Sequence, residues 1–237
     1  MEKQELIREG TAKKIYSTDN SDILILSYKD DISADKENRK DSFPGKGIID
    51  NRISNRLFKV LEQKGLPTDF IEEISPSETA VKNSEMIPLN VIVRNYSAGS
   101  FSRNMKVAEG TKLICPTVEF TRKDRLSGDP MINGYYSLAL GIATEEEIEK
   151  ITRYALKINT ILTEFFSGIG IDLIDFKMEF GRCKKDLILS DEISPDTARL
   201  WDKQTHEKLD RDRFRKNLGN VADAYREVLV RMGLRED

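Results

Sequence analysis

Leu173-Ile174-Asp175-Phe176-Lys177-Met178-Glu179-Phe180-Gly181 opens the run LIDFKMEFGRCKKDLILSDEISPDTARLWD, residues 173–202, and this run decides how the chain is read. Ile174, Phe176, Met178 and Phe180 alternate with Asp175, Lys177 and Glu179, the period of two that belongs to a strand. The apolar set can enter a core while two carboxylates and an ammonium share the opposite face. Gly181 and Arg182–Asp186 predict a turn, and Leu187–Glu192 a returning strand. An even pairing register would bring Asp191 onto the face of Lys177 and Glu179, one diagonal neighbour from the glutamate. Such a face suits a divalent metal and a phosphate chain. Hard cations take carboxylate oxygens and bridge phosphates, and a lysine neutralises the charge left over.

Outward from this hairpin, Thr144 and Glu147 form a capping-box pattern. It opens an amphipathic helix through Ile148, Ile151, Ala155, Ile158, Leu162 and Phe165 that ends around Ser167-Gly168. After the hairpin come a polar connection and a final helix with Val221, Ala224, Tyr225, Val228, Leu229 and Met232. Upstream, Ile49, Ile53, Leu57, Val60 and Leu61 recur at helical spacing between Gly47 and Lys64, with Gly65 as the stop. The first forty residues read as short strands, with a turn cluster at Asp19-Asn20-Ser21 between Glu9–Tyr16 and Ile23–Leu26. FIEEI (70–74), TAVK (79–82) and Pro88–Arg94 are further extended runs. Strands dominate early and helices late, so the predicted class is α+β rather than a doubly wound sheet. A hinge near residues 83 to 88 would divide a strand-rich lobe, 1–85, from a second α+β lobe, 86–237.

A chain of 237 residues can bury a substantial core as one large domain or two intimate lobes. Net charge is −3 and the pI about 5.5, which argues against bulk electrostatic binding to nucleic acid or anionic membrane. No apolar run approaches a transmembrane length, and the N-terminus MEKQELIREG lacks a signal-peptide core. Cys115 and Cys183 have no metal-type spacing, so the expected setting is a reducing cytoplasm with two inert thiols. His206 is the sole histidine. Ser-His-Asp, Cys-His and His-rich zinc chemistry are thereby excluded or nearly so. The acids, bases and ligands must be Asp, Glu, Lys and Arg.

Three further segments carry candidate chemistry. In Arg8–Tyr16 (REGTAKKIY), Gly10 would let the backbone approach a phosphate and Lys13 would meet it as a point charge. The same residues also read as an ordinary hairpin with solvated lysines. The absence of GxxxxGK[ST] argues against a Walker-type NTPase. Arg94–Ser100 (RNYSAGS) could grip a phosphate monoester through a planar guanidinium, a serine and free amides, or could be a strand ending in a glycine turn with an exposed arginine. In Asp196–Asp202, Arg199 offers another anion contact, while Ser194 or Asp196 could instead cap a helix.

Taken in order, EGTAKKIY (9–16), KGIIDNRIS (46–54), VIVRNYSAGS (91–100), DPMIN (129–133), LIDFKMEFG (173–181) and DEISPDTARLWDKQT (191–205) resemble the SAICAR synthetase family nearly end to end. The resemblance implies a two-lobed fold of antiparallel-rich sheets with flanking helices, distantly kinase-like or ATP-grasp-like, with a nucleotide site between the lobes. It implies that ATP phosphorylates the carboxylate of a carboxyaminoimidazole ribonucleotide and that the amine of L-aspartate attacks the acyl phosphate. By motif match, Glu179 and Asp191 would hold Mg2+. Lys13, Lys177 and Asp175 would serve catalysis, with Gly10, Ala12, Lys82 and Met86 near the nucleotide. Arg94, Ser100 and Arg199 would hold the ribonucleotide phosphate, with Asp175 and Asp196 facing the imidazole or ribose. Lys123 and Arg215 are basic candidates for L-aspartate. A cytoplasmic homodimer with small-molecule substrates, and neither nucleic acid nor membrane as partner, is the expected setting.

The chain departs from the family pattern at Asn90, where glutamate is usual, and at Thr11, where lysine is common. Around Asp35-Lys36 the match is loose, and no substrate-contacting aspartate is assigned there. The alternatives are another kinase-like or ATP-grasp-like carboxylate ligase, and a nucleotide-binding module without turnover. The latter would be expected to show damage at Lys177, Glu179 or Asp191, and none is visible.

Overall fold

Alternating apolar residues in the first third of the chain build one antiparallel sheet, and those in the remainder a second. A computed structural model describes residues 1–34, 39–124 and 127–236, so the Asp35-Lys36 pair lies outside the described residues. The first sheet contains β1 (Lys3–Glu9), β2 (Lys13–Thr18) and β3 (Ile23–Tyr28). A separate pair, β4 (Asp31–Ala34) and β5 (Arg39–Ser42), precedes helix α1 (Lys46–Gln63). β6 (Phe70–Ser75) and β7 (Glu78–Lys82) then complete the first sheet in the order β1-β2-β3-β7-β6.

The second sheet uses β8 (Glu85–Met86), β9 (Leu89–Tyr96), β10 (Lys112–Arg122), β11 (Met131–Ile132), β12 (Ile171–Cys183), β13 (Asp186–Ser190) and β14 (Ala198–Asp202). Its order is β11-β10-β9-β12-β13, with β14 and β8 also pairing β12. Helices α2 (Gly99–Met105), α3 (Gly134–Ala139), α4 (Glu145–Gly168), α5 (Asp212–Arg215) and α6 (Val221–Arg231) complete the chain. All these strand pairings are antiparallel. The class is α+β, as expected.

The amphipathic stripes go where their periods send them. Ile49, Ile53, Leu57 and Leu61 of α1, together with Ile151, Ala155, Ile158 and Leu162 of α4, are fully buried in one core with Phe176, Met178 and Phe180 of β12. Thr144 and Glu147 close the capping box reciprocally. Phe166, rather than Phe165, completes the buried stripe of α4.

Three expectations are corrected. Ile174 does not join Phe176: a register shift in the β12–β14 pairing between Leu173 and Asp175 breaks the alternation, and Ile174 packs with Ala98 and Trp201. Gly181 is not in the turn but inside β12, opposite Ile188 and Met86, where a Cβ would strike Ser84. The chain reverses instead at Lys184-Lys185, with Lys184 at φ 56°. No helix starts at Ser194 or Asp196; residues 194–197 form a turn, closed by Thr197 N–H donating to Ser194 O at 2.9 Å, which feeds β14. The polar connection of the sequence reading thus contains a sheet strand and α5.

α1 begins against the first sheet at the closest approach a glycine allows. A Cβ on Gly47 would stand 2.7 Å from the carbonyl oxygen of Tyr28 and 2.9 Å from its carbon, while Gly47 N–H donates to Asp30 at 2.9 Å. Backbone is rigid at such a contact, so Gly47→Ala should destabilise the fold by about 1–3 kcal/mol. The expected outcome is a lower urea midpoint with an unchanged m-value. A wild-type midpoint would show that α1 does not need this approach.

Candidate active site

The polar face of β12 gathers charge from three directions. Lys177 Nζ lies 2.6 Å from Glu179 Oε1 and 3.7 Å from Asp191 Oδ2. Lys13 Nζ, from β2 in the other sheet, lies 2.7 Å from Asp191 Oδ1 and 3.3 Å from Glu192 Oε1. Lys123 pairs with the second oxygen of Glu179. The two carboxylates therefore share one ammonium, as the sequence reading required, but not by the register it assumed. Glu179 stands opposite Ser190, so a straight continuation would send Asp191 to the other face. Asp191 instead follows β13 at φ 75°, and the left-handed backbone accompanies its return to Lys13 and Lys177.

Burial alone would raise the Asp191 pKa, but the ammonium groups of Lys13 and Lys177 outweigh it and hold the carboxyl below its usual range. Burial would likewise lower Lys13 and Lys177; their carboxylate partners instead raise both. Beneath them Asp69 is pushed up to about 8 by burial, and its Oδ1 is enclosed without a hydrogen-bond partner. Sequence reasoning missed Asp69 and Glu192. The latter adjoins Asp191 in the DEISPD block, whereas nothing around Asp69 signals it.

Glu179 and Asp191 suit Mg2+ by the chemistry of their donors: hard carboxylate oxygens that meet at Lys177, with Lys123 on the far oxygen of Glu179 and Lys13 on that of Asp191. Among the described residues no three His, Cys, Asp or Glu side chains gather into a metal cage. Two carboxylates fit an ion whose remaining positions go to phosphate oxygens and water.

Two residues earlier on β12, Asp175 stands in register between Arg94 on β9 and Arg199 on β14. Arg199 Nη1 reaches both Asp175 oxygens at 2.9 Å, and Arg94 Nη1 donates to Oδ2. Arg94 is 2% exposed, which removes the reading of an exposed arginine at a glycine turn. Its five N–H donors all find acceptors: both oxygens of Glu119 at 2.7 and 3.0 Å, Asp175, Ser100 Oγ at 3.0 Å and Ala98 O at 3.4 Å. Glu119 was not singled out from sequence. Gly99, at φ 57°, turns the chain against Arg199, where a Cβ would collide with the guanidinium. The series continues through Asp212, which accepts from Arg199 Nε and Arg215 Nη1, each at 2.9 Å. Burial would lower the Arg199 pKa, but Asp175 and Asp212 raise it, so the charge persists.

Other expected residues sit as follows. Asp196 is buried with Oδ2 2.6 Å from Lys46 Nζ and Oδ1 accepting from Tyr225 at 2.6 Å, so both oxygens are engaged by α1 and α6 rather than open to a ligand. Gly10 N–H donates to Lys13 O at 2.8 Å, and Ala12 O accepts from Lys29 N–H at 2.7 Å, which shapes the loop before β2. Gly10 and Thr11 line a cleft of about 440 Å³ with Lys29, Asp31, Lys40 and Asp41. Lys82 Nζ donates to Thr68 O, and Met86 is exposed on β8. Asn90 is buried and acts as a donor, to Thr121 at 3.0 Å and Asp129 at 3.4 Å.

The SAICAR synthetase family model matches residues 6–232. A phosphoribosylaminoimidazole-succinocarboxamide synthase from Lachnoclostridium phytofermentans is 56% identical over 234 residues, covering 99% of this chain and all of that one. The crystal structure of the same-named enzyme from Ehrlichia chaffeensis superposes with a TM-score of 0.95 at 43% identity, over 98% of this chain and 99% of that one. A SAICAR synthetase solved in complex with ADP gives 0.93 at 43% identity, over 96% and 97%. This chain belongs to the SAICAR synthetase family.

Proposed function

We propose that this protein is the ATP-dependent ligase of de novo purine biosynthesis that joins L-aspartate to 5-amino-1-(5-phosphoribosyl)imidazole-4-carboxylate. The carboxylate oxygen takes the γ-phosphoryl group of ATP, releasing ADP. The aspartate amine then attacks the acyl carbon, phosphate leaves with the C–O electron pair, the nitrogen gives up a proton to that phosphate or to water, and the amide of SAICAR forms. The observation that carries this reading is the pairing of two charge clusters on one strand. The Arg94–Asp175–Arg199 group and the Lys177–Glu179–Asp191 group lie two to four residues apart along β12, roughly 7 to 13 Å. A ribonucleotide likewise carries its phosphate and the carboxylate on its base at opposite ends.

Each residue has a part in this scheme. Lys13 and Lys177 would exchange their carboxylate partners for phosphoryl oxygens, because phosphoryl transfer depends mainly on positioning and charge neutralisation. Mg2+ on Glu179 and Asp191 would supply Lewis-acid polarisation of the phosphates. Gly10, Ala12, Lys82 and Met86 would border the nucleotide. Arg199 and Ser100 would meet the ribonucleotide phosphate. As the Ser100 hydroxyl turns to that phosphate it would free one Nη2 hydrogen of Arg94 for the same group. Asp175 would orient both arginines. Lys123 and Arg215 would receive the carboxylates of L-aspartate.

Residues 1–85 would form the nucleotide-binding lobe and 86–237 the lobe with the metal and ribonucleotide sites. Two free thiols, Cys115 and Cys183, support a cytoplasmic setting, and the homodimer is carried over from the family resemblance. Among the described residues no helix is long and apolar enough to cross a membrane. A nucleotide-binding module without turnover is disfavoured by the intact Lys177–Glu179–Asp191 cluster.

A coupled ADP-release assay with ATP, the carboxylated ribonucleotide and L-aspartate, omitting each in turn, tests the reaction. ADP formation that ignores both acceptors would overturn it. Glu179→Gln and Asp191→Asn should each lower kcat on the order of 100-fold or more while far-UV circular dichroism stays unchanged. Near-normal turnover of both at low magnesium would remove the metal assignment. Arg94→Ala should mainly raise the KM for the ribonucleotide, since a grip distant from the reacting carboxylate contributes largely uniform binding. A raised KM for ATP with an unchanged one for the ribonucleotide would contradict that role.

A further inference from the structure

The Arg94 guanidinium lies between two carboxylates that compete for its fork, the buried Asp175 and the largely enclosed Glu119. Across the β9–β10 pairing Thr117 stands opposite Arg94 and Glu119 opposite Ile92, so Glu119 is a diagonal neighbour of the arginine on the same face. Its side chain is 9% exposed, and its two oxygens take Nε and Nη2 in the parallel two-bond geometry that suits a guanidinium. Thr117 Oγ1 donates to one of those oxygens at 3.5 Å. Asp175, in register on the other neighbour, receives only Nη1 from Arg94 and is held by the Nη1 of Arg199 through both its oxygens. The remaining Nη2 hydrogen points to Ser100.

We propose that Glu119 is a positioning residue for the ribonucleotide phosphate site, fixing the plane of Arg94 so that one Nη2 donor stays on the Ser100 side. The proposal rests on the assignment of Arg94, Ser100 and Arg199 to that phosphate. Without the Glu119 carboxylate, the nearest acceptor for the Arg94 fork is Asp175. A guanidinium rotated onto Asp175 turns its outer donors away from Ser100 and pulls Asp175 from Arg199. One deletion would thus disturb both arginines while leaving Lys13, Lys177 and Lys123 in place. Glu119 touches no substrate in this scheme and acts only through Arg94.

Two measurements on Glu119→Ala and Glu119→Gln test it: the KM for each substrate in the ADP-release assay, and calorimetric binding of ribose 5-phosphate, which needs no turnover. Glu119→Ala should raise the ribonucleotide KM and the ribose 5-phosphate Kd by about ten-fold or more, the loss of a well-oriented charged contact, with the KM for ATP within about two-fold of wild type. Glu119→Gln keeps the side-chain volume and one acceptor oxygen, so it should fall between Ala and wild type. It also serves as the readable variant if Ala does not fold. Adding Glu119→Ala to Arg94→Ala should cost little beyond Arg94→Ala alone, because both remove the same contact.

Folded Glu119 variants with wild-type ribonucleotide KM and ribose 5-phosphate Kd would overturn the positioning role and leave the ligase reading intact. So would losses that multiply in the double variant. A wild type that releases no ADP but binds ribose 5-phosphate would sink the ligase reading while the binding arm still decides Glu119. If the wild type does neither, the phosphate site and the part of Glu119 in it fall together.

Discussion

Charge pairing across β12 is the constraint on which the rest of this structure depends. Asp175 and Glu179 are almost wholly enclosed, and Lys177 between them meets two carboxylates. A buried ion without a partner is not tolerated, and removing one member of a buried pair costs about 3–5 kcal/mol. Each neighbouring strand therefore has to deliver the opposite charge at the right register. β9 and β14 deliver Arg94 and Arg199 to Asp175, and the segment after β10 delivers Lys123 to Glu179. The end of β13 brings Asp191 to Lys177, and β2 reaches across from the other sheet with Lys13. The fold is in this sense arranged around its functional strand, with the apolar face of that strand held by α1, α4 and α6 in the main core.

Pairing of this kind contributes little net stability, since desolvation offsets most of the attraction. What it supplies is a set of fixed charges that need not reorganise when a ligand of matching charge arrives. In the proposed reaction, phosphate oxygens would take over the lysines, and a divalent cation would take over the carboxylates the lysines leave. Neither exchange requires either charge to stand unpaired in the interior. The buried Lys46 shows the same logic further out. It bridges Asp50 and Asp196 at 2.7 and 2.6 Å, and Tyr225 adds a hydroxyl to Asp196. Burial pushes Asp50 up, whereas Lys46 and Arg211 outweigh burial at Asp196 and hold it low.

Features set by local chemistry were legible in the sequence. The capping box at Thr144, the core stripes of α1 and α4, and the alternation of Phe176, Met178 and Phe180 all appear as their periods predict. Glu179 and Asp191 do gather about Lys177, but through the left-handed backbone of Asp191 and not through the strand period. The features that escaped depend on partners distant in the chain. The shift that diverts Ile174 exists because β14 pairs with β12, and β14 itself looked like a polar connection because Arg199 and Asp202 interrupt its apolar residues. Gly181 read as a turn residue because its real reason, the approach of Ser84, comes from almost a hundred residues upstream. Glu119 and Asp69 carry no pattern at all; only the sheet pairing and the burial give them meaning.

The geometry also explains why one strand, rather than several loops, bears both clusters. A strand advances about 3.3 Å per residue and returns to the same face every second residue, so side chains along it are spaced at fixed intervals. Loops would let those intervals drift, and a misplacement of about 1 Å can cost two orders of magnitude in rate. β12 is paired on both edges along Asp175 and Phe176, by β9 and β14, and again at Gly181 and Arg182, by β8 and β13. Backbone hydrogen bonds hold it from either side at both ends of the reactive stretch. In the proposed reaction, the reacting carboxylate and the distant phosphate of one substrate would then be held a set distance apart by a single rigid segment. Asp191 is the element outside that rigidity: it leaves β13 on a left-handed residue, and its position is kept by Lys13 and Lys177 rather than by the sheet. The carboxylate that would exchange lysines for a cation in the proposed reaction is thus the one whose backbone has already left the ladder.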